Sequence, residues 1–520
     1  MGKFKKDSQT GLRPGTYTDT LNSSETTGRN SDEHKIAQYG KRQQFKRNFG
    51  LLSVVSLAST ITVLFNGGPT GIITTFPIIF LGVLFQTLVL SELASMIPLS
   101  GGQYNWVAIL APPKLSHFLS YLTGWITTIT WQSAVPAVTY MCSNMIVALV
   151  DFHYPNQTLK NWHATLIFFA VTFVAVFINT YLGRVFPTIE CFSFLLHVFG
   201  FFVVLIVMVY LAPKAPPSSV FENYINGGGF SSTAVSVFVG TIPIMFGFVG
   251  FDSAAHIAEE IGNATLVIPR AMLMTVVLYF VMSYGIVIAM VFCMPVEEVL
   301  TSTYTFPIIG VFATVTQSTA GTVIMTSLII VMLGCGAIGD MAAASRTLWA
   351  FAREDGVPFS SRISKIDPRT CLPLYSIGVT ATISIALSLI ALGSTATFNA
   401  LSGLAVAGSY SSFIMAASVT LWRRLTTSSE KMPWGPFRLG KLGVPITVFA
   451  LLYSWVGLIF SFWPPVAHVS IKTFNWSLVV YLGVMILAIV WWCVRAKKTY
   501  TGPKMEISSH QWMELFGEMK

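Results

Sequence analysis

Long, nearly unbroken apolar runs dominate the chain. Twelve are read as membrane spans, at 49–65, 70–97, 115–149, 163–183, 187–211, 233–262, 269–294, 319–351, 374–393, 397–422, 443–463 and 476–494. Each is rich in Leu, Ile, Val and Phe, and most reach the roughly 20 residues that a helix needs to cross a bilayer. None alternates apolar and polar positions as the strands of an outer-membrane barrel do. Two shorter apolar segments, 102–112 and 304–316, read as interfacial helices. The pattern predicts an all-α polytopic membrane protein of about 12 transmembrane helices joined by short loops.

Composition sharpens this. Of 520 residues, 53% are hydrophobic and 10% charged. Soluble domains carry about 25% charged residues, so a set of soluble domains is excluded. The net charge is +9, but it is localised. Residues 1–48 hold ten Lys/Arg against five Asp/Glu in a polar tail that cannot bury a core. Placed with the N-terminus inside, the inner loops hold thirteen Lys/Arg and the two tails fifteen, while the outer loops hold Lys160, Lys214 and Lys472. That asymmetry obeys the positive-inside rule, puts both termini in the cytosol and makes the bilayer, not nucleic acid, the partner of the basic residues. Asn156 and Asn475 then begin outer-loop glycosylation sequons. The six Cys form no CxxC pair, so neither a disulfide framework nor a metal site is expected, and no cofactor motif is evident.

Charged groups inside spans are costly and draw attention to function. They are few: Glu92, Glu190, Asp252, Glu259, Glu260, Asp340 and Arg346. The sixth span is the most informative. Gly247 and Gly250 lie near its middle, just before Asp252. Glycine weakens a helix there and lets bare backbone approach a ligand. Freed amides and carbonyls at such a break can hold a carboxylate or an amine. Beyond it, Asp252, His256 and Glu259 share one helical face. The competing reading is that the glycines permit close helix packing and the polar stripe ties spans together. In the first span, Ser56 to Thr60 is a patch of small side chains that would hold the matching break if the chain has two inverted halves. Gln132 in the third span is an amide that must find partners, and Trp131, Tyr140, Phe246, Phe248 and Phe251 are rings that could face an ammonium group or serve packing. Arg346 either pairs with Asp340 or Glu259 as a gate latch or snorkels to the inner surface.

Several stretches in order resemble the amino acid–polyamine–organocation transporter superfamily, and within it the fungal amino acid/choline transporters. They are Asn66-Gly-Gly-Pro69, Ser91 to Tyr104, Gly250 to Glu260 followed by Pro269-Arg270, Ser345 to Ser360, and Phe398 to Leu401. The resemblance implies a five-plus-five inverted repeat: 49–212 as the first repeat, 213–422 as the second, 423–495 as two further helices and 496–520 as a cytosolic tail. It also implies alternating access around a midplane site made by broken first and sixth spans. Mapped here, that site is Ser56, Ala58, Ser59, Thr60, Gln132, Phe248, Val249, Gly250, Phe251, Asp252 and Ser402. Substrates in that family are amino acids, 4-aminobutyrate, choline and polyamines, and the usual coupling ion is a proton. Family members have a longer first span; here Phe49 to Phe65 offers seventeen residues, or ~25 Å of helix.

Three functions compete. The first is a secondary transporter of small amine-bearing solutes, with Asp252 or Glu259 as proton carrier, His256, Asp340 and Arg346 as gating groups, and the plasma or vacuolar membrane as its place. The second is a non-transporting nutrient sensor or defective paralogue, to which the short first span points. The third is a membrane enzyme, against which stands the lack of any GxSxG, HExxH or Walker A sequence.

Overall fold

A computed structural model describes residues 64–155, 159–183, 185–293, 306–391, 397–428, 430, 432–471 and 473–503. The fold is helical, an integral membrane bundle. Its elements are α1 (Gly68–Met96), α2 (Gln103–Leu110), α3 (Pro113–His153), α4 (Asn161–Tyr181), α5 (Phe186–Leu211), α6 (Thr233–Gly240), α7 (Ile242–Gly247), α8 (Ser253–His256), α9 (Ala264–Cys293), α10 (Pro307–Thr316), α11 (Thr319–Arg353), α12 (Leu374–Ala391), α13 (Thr397–Thr426), α14 (Gly443–Ser461) and α15 (Ser477–Trp491). Among the described residues nine helices are long and apolar enough to cross a bilayer, and Thr233–Gly247 and Leu374–Leu389 are shorter apolar helices. These follow the anticipated spans two to twelve within a few residues, and α2 and α10 match the two interfacial segments. The anticipated first span, 49–65, falls almost wholly outside the described residues, as do the 1–48 tail and all of the C-terminal tail beyond 503.

Burial ranks the helices. The most apolar stretches of α13 and α3 are 83% and 72% buried, against 17% for α5 and 11% for the last span, so α13 and α3 form the centre of the bundle and the latter two face lipid. The largest interfaces join α1 to α9 and α3 to α11 and α13. Small residues set the close crossings. Gly82 on α1 lies under the Tyr453 ring, and Gly457 on α14 lies under Tyr410. The two tyrosine hydroxyls share a 2.7 Å hydrogen bond between α13 and α14. This is the pattern expected where lipid gives no hydrophobic drive for helices to associate.

The start of α1 is clamped by polar bonds. Asn66 Oδ1 accepts from the Gly228 amide at 2.9 Å and from Ser236 Oγ at 3.2 Å, and its Nδ2 donates to the Pro465 carbonyl at 2.7 Å. Gly68 has φ +69° and sits so close to the Asn223 and Ile225 backbone that a Cβ would collide, which explains the glycine of the Asn-Gly-Gly-Pro turn. Pro69 then opens the helix, where its missing amide is not needed. Asn475, one of the two sequons, has its amide committed: Nδ2 donates to the Ser461 and Trp463 carbonyls, and Oδ1 accepts from Ser477. Asn156 lies outside the described residues.

The far end of α1 carries Glu92, fully buried, in an ion pair with Arg424 at the end of α13. Glu92 Oε1 also accepts from the Leu439 amide at 2.8 Å. Trp434 lies against both Arg424 and Arg438, with guanidinium carbons 4.9 and 4.4 Å from its ring. Ser95 Oγ accepts from the Phe437 amide at 3.0 Å and donates to the Thr265 carbonyl at 2.8 Å. The segment after α13 is thus fastened to α1 and to the start of α9. Removing one member of a buried pair strands the other charge, at a cost of about 3–5 kcal/mol. We expect Arg424→Ala to lower the unfolding temperature and the yield of monodisperse protein in detergent; an unchanged melting curve would show that the pair carries little of the fold.

Candidate functional site

The sixth span is broken where its glycines lie. α6 and α7 run to Gly247; residues 248–252 form turns; one turn of helix, α8, follows, and a 3-10 turn, Ala258–Glu260, completes the segment. Gly250 has φ +101°, a conformation that L side chains rarely adopt. Within the break the Phe248, Val249, Phe251 and Ser253 amides bond to carbonyls three residues back. Among the described residues no hydrogen bond is formed by the Gly250 amide or the Val249 carbonyl. Among the described residues a donor and an acceptor at the break are thus without a partner, the chemistry a carboxylate and an ammonium require.

The walls come from other helices. On α3, the Trp131 ring lies 3.6 Å from where a Cβ on Gly250 would stand, and it meets the His256 ring edge-on with centroids 5.5 Å apart. Phe248 turns outward against Tyr279 of α9, centroids 4.5 Å apart, and Phe76 of α1, 5.9 Å apart. Val249 is half-buried while Phe248, Gly250, Phe251 and Asp252 are buried. Ser402 is buried on α13 and bonds the Asn399 carbonyl at 3.3 Å.

Below the break a polar network ties the segment to the connection between α1 and α2. Asp252 Oδ2 accepts from Gln103 Nε2 at 2.5 Å and lies 3.4 Å from His256 Nε2. His256 Nδ1 is 3.3 Å from the Ser100 carbonyl. Both ring partners are acceptors, so an imidazole protonated on both nitrogens satisfies both and a neutral one satisfies only one. Gly102, at φ +55°, leaves room for that ring: a Cβ there would stand 2.9 Å from His256 Cε1. Asp252, Gln103, Ser100 and His256 are all buried. One turn further, the Glu259 amide donates to Ser100 Oγ at 3.2 Å, and the Glu259 carboxylate receives both terminal nitrogens of Arg353, at 3.0 and 2.8 Å. Such bidentate pairs are the strong, directional ones.

The anticipated site residues are sorted by this geometry. Phe248 to Asp252 form the break, and His256 joins Asp252. Ser56, Ala58, Ser59 and Thr60 lie outside the described residues. Gln132 is turned away from the break: its Nε2 donates to Thr380 Oγ1 of α12 at 3.0 Å, and the adjacent Trp131 occupies the place beside Gly250. Glu259 is held by Arg353, seven residues beyond Arg346 on α11. Arg346 instead donates to Asn179 Oδ1 of α4 at 3.4 Å. Asp340 is half-buried on α11. Sequence reading did not single out Gln103, Ser100 or Arg353. Each lies in a stretch that carries the family resemblance, Ser91 to Tyr104 or Ser345 to Ser360, and only contacts across 94 to 159 residues reveal its partner.

The amino acid permease family profile matches residues 49–488. A Macrophomina phaseolina protein, provisionally named an amino acid/polyamine transporter, is 30% identical over 79% of this chain and 91% of its own length. The choline transporter of Saccharomyces cerevisiae is 27% identical over 85% of this chain and 78% of its own. The GABA-specific permease of the same yeast is 25% identical over 94% and 88%.

Because Gly250 combines positive φ with a ring against its open side, Gly250→Ala carries a strain of about 1–2 kcal/mol. Its unfolding temperature in detergent should fall, while Gly483→Ala on α15, where nothing lies near the added methyl, should leave it unchanged. Equal behaviour of the two variants would remove the strain argument.

Proposed function

The chain belongs to the amino acid permease family, and from that membership we propose that it is a secondary active transporter of small amine-bearing solutes: amino acids, 4-aminobutyrate or choline. It works by alternating access, with proton coupling, in the plasma membrane, with both termini cytosolic. The observation that carries this reading is the break at Gly247–Asp252, where the Gly250 amide and the Val249 carbonyl, beside the Trp131 ring, have no partner among the described residues. The pairing of α1 with α9 and of α3 with α11, helices five spans apart, supports the inverted-repeat arrangement.

The substrate's nitrogen meets the Val249 carbonyl, with Trp131 alongside; a carboxylate, where there is one, takes the Gly250 amide. The proton is carried by the Asp252–His256 pair. With both ionised, the pair is neutral overall and bonded to Gln103 and the Ser100 carbonyl, which holds the lower half of the broken span against the α1–α2 connection. Loss of the proton from His256 removes one of those bonds and loosens that seal. Glu259 is a poorer carrier, because Arg353 already takes both its oxygens. It serves as the anchor of the segment to α11.

The second reading, a sensor that binds without accumulating, is favoured by the seventeen-residue first span. Radiolabelled uptake in transporter-deficient cells separates the two. Concentrative uptake of at least one amine in the panel, larger at the lower of two pH values, is the expected result; saturable binding without accumulation would replace the transporter with the sensor. Asp252→Asn should cut uptake by about tenfold or more, equivalent to ~1.4 kcal/mol, with surface expression kept. His256→Gln should flatten the pH dependence. Wild-type rates and pH profiles in both variants would take the pair out of the mechanism.

A further inference from the structure

A second cavity, of about 240 Å³, lies away from the break at the other end of α3, between α3, α4 and α12. Its walls include Tyr140, Asn144 and Asp151 of α3, Lys160 and Phe168 at and within α4, and Ser388 of α12. Phe168 and Ser388 are buried while Lys160 and Asn161 are exposed, so the hollow reaches from packed helices to the surface. Asp151 is half-buried beside the cavity, and its Oδ1 is buried with no hydrogen-bond partner. Lys160 faces the same cavity, yet among the described residues no ion pair joins it to Asp151. A buried carboxylate oxygen without a partner is costly and calls for an explanation.

We propose that this cavity is a second binding site, distinct from the broken-helix site, for a small zwitterion: Asp151 receives the ammonium group and Lys160 the anionic end. The volume suits a solute smaller than the drug-sized ligands that fill ~300–1,000 Å³. Opposite charges that face one space without neutralising each other complement a molecule carrying both. A lone cation such as choline meets Asp151 but is opposed by Lys160. Asn144, Ser388 and the Tyr140 ring supply polar and aromatic wall to the same space. Lys160 ranks among the three outer-loop cations, so the site opens on the side the charge asymmetry assigns to the exterior. It is built from helices that pack on one another, α3 on α4 and α12, and takes nothing from the broken span. Occupancy there therefore acts on the scaffold, separately from the transported solute. The ammonium–anion pair can come from a free amino acid or from a phosphatidylethanolamine headgroup.

The test measures equilibrium binding to the purified full-length chain in lipid-free detergent, using radiolabelled α-amino acids, 4-aminobutyrate and choline. The expected result is a saturable component of zwitterion binding, additional to that of the broken-helix site, that Asp151→Asn and Lys160→Gln each weaken at least tenfold and that the cavity-filling Ala164→Phe abolishes. Lys160→Gln alters an exposed side chain and guards against misfolding as the cause. A parallel arm measures retained phosphatidylethanolamine by native mass spectrometry from nanodiscs; retention lost in the same variants, without free amino acid binding, assigns the headgroup as the source. The absence in both arms of any component sensitive to the cavity variants, or choline bound in that component as well as the zwitterions, would overturn the proposal. Uptake without variant-sensitive binding sinks this site alone; variant-sensitive binding without uptake of any amine sinks the transporter reading alone.

Discussion

A peptide group in hydrocarbon must be bonded by its own helix or by protein around it. The bundle is arranged to meet that demand at one place, the interruption after Gly247. A helix that stops in mid-membrane leaves amides and carbonyls that lipid cannot satisfy, so the break has to be sheathed. Trp131 covers it from α3, Phe248 wedges between Tyr279 and Phe76, and Asp252 is received by Gln103 and His256. That sheathing draws on α3, one of the two most buried spans, and on Ser100, which is buried and bonded to the segment below the break.

Two buried carboxylates near the same end of the bundle illustrate different uses of one chemistry. Glu92 holds Arg424 and the Leu439 amide, fastening a connecting segment onto α1. Glu259 holds Arg353 and so joins the foot of the broken span to α11. The first joins α1 to the connection that follows α13. The second joins a stretch of short, interrupted turns to a continuous 35-residue helix. If one of the two bonds is made and broken during transport it is the second, because only its acidic partner sits on backbone that is already discontinuous.

Most of the fold was legible in the chain. Apolar length locates a membrane helix well, since the bilayer imposes its thickness on every span, whereas glycines beside an acid in mid-span left two readings, an interruption or close helix packing, between which the turns at 248–252 decide. Partnerships were not legible. Gln132 and Trp131 are neighbours on a helix whose successive residues point about 100° apart; which of them faces the sixth span is a question of helix rotation, fixed by packing on α11, α12 and α13, and no local pattern encodes it. Arg353 was hidden for the same reason. Arg346 and Arg353 are two turns apart on one helix, and only the position of α8 and its following turn along α11 decides which of them reaches Glu259.

The same geometry bears on which amine the site prefers. A quaternary ammonium cannot donate a hydrogen bond, so the Val249 carbonyl and any other backbone acceptor hold it only as a charge, and its affinity must come from aromatic faces. Beside the break Trp131 is present but presents part of its ring to His256, edge-on. Phe248 is spent on Tyr279 and Phe76. The described walls offer the Trp131 and Phe251 rings together with an amide and a carbonyl that have no partner among the described residues, and that last pair is what a primary ammonium with a carboxylate could use and a trimethylammonium group could not. On the proposal that the break receives the substrate, this pair is what would separate an amino acid, 4-aminobutyrate included, from choline.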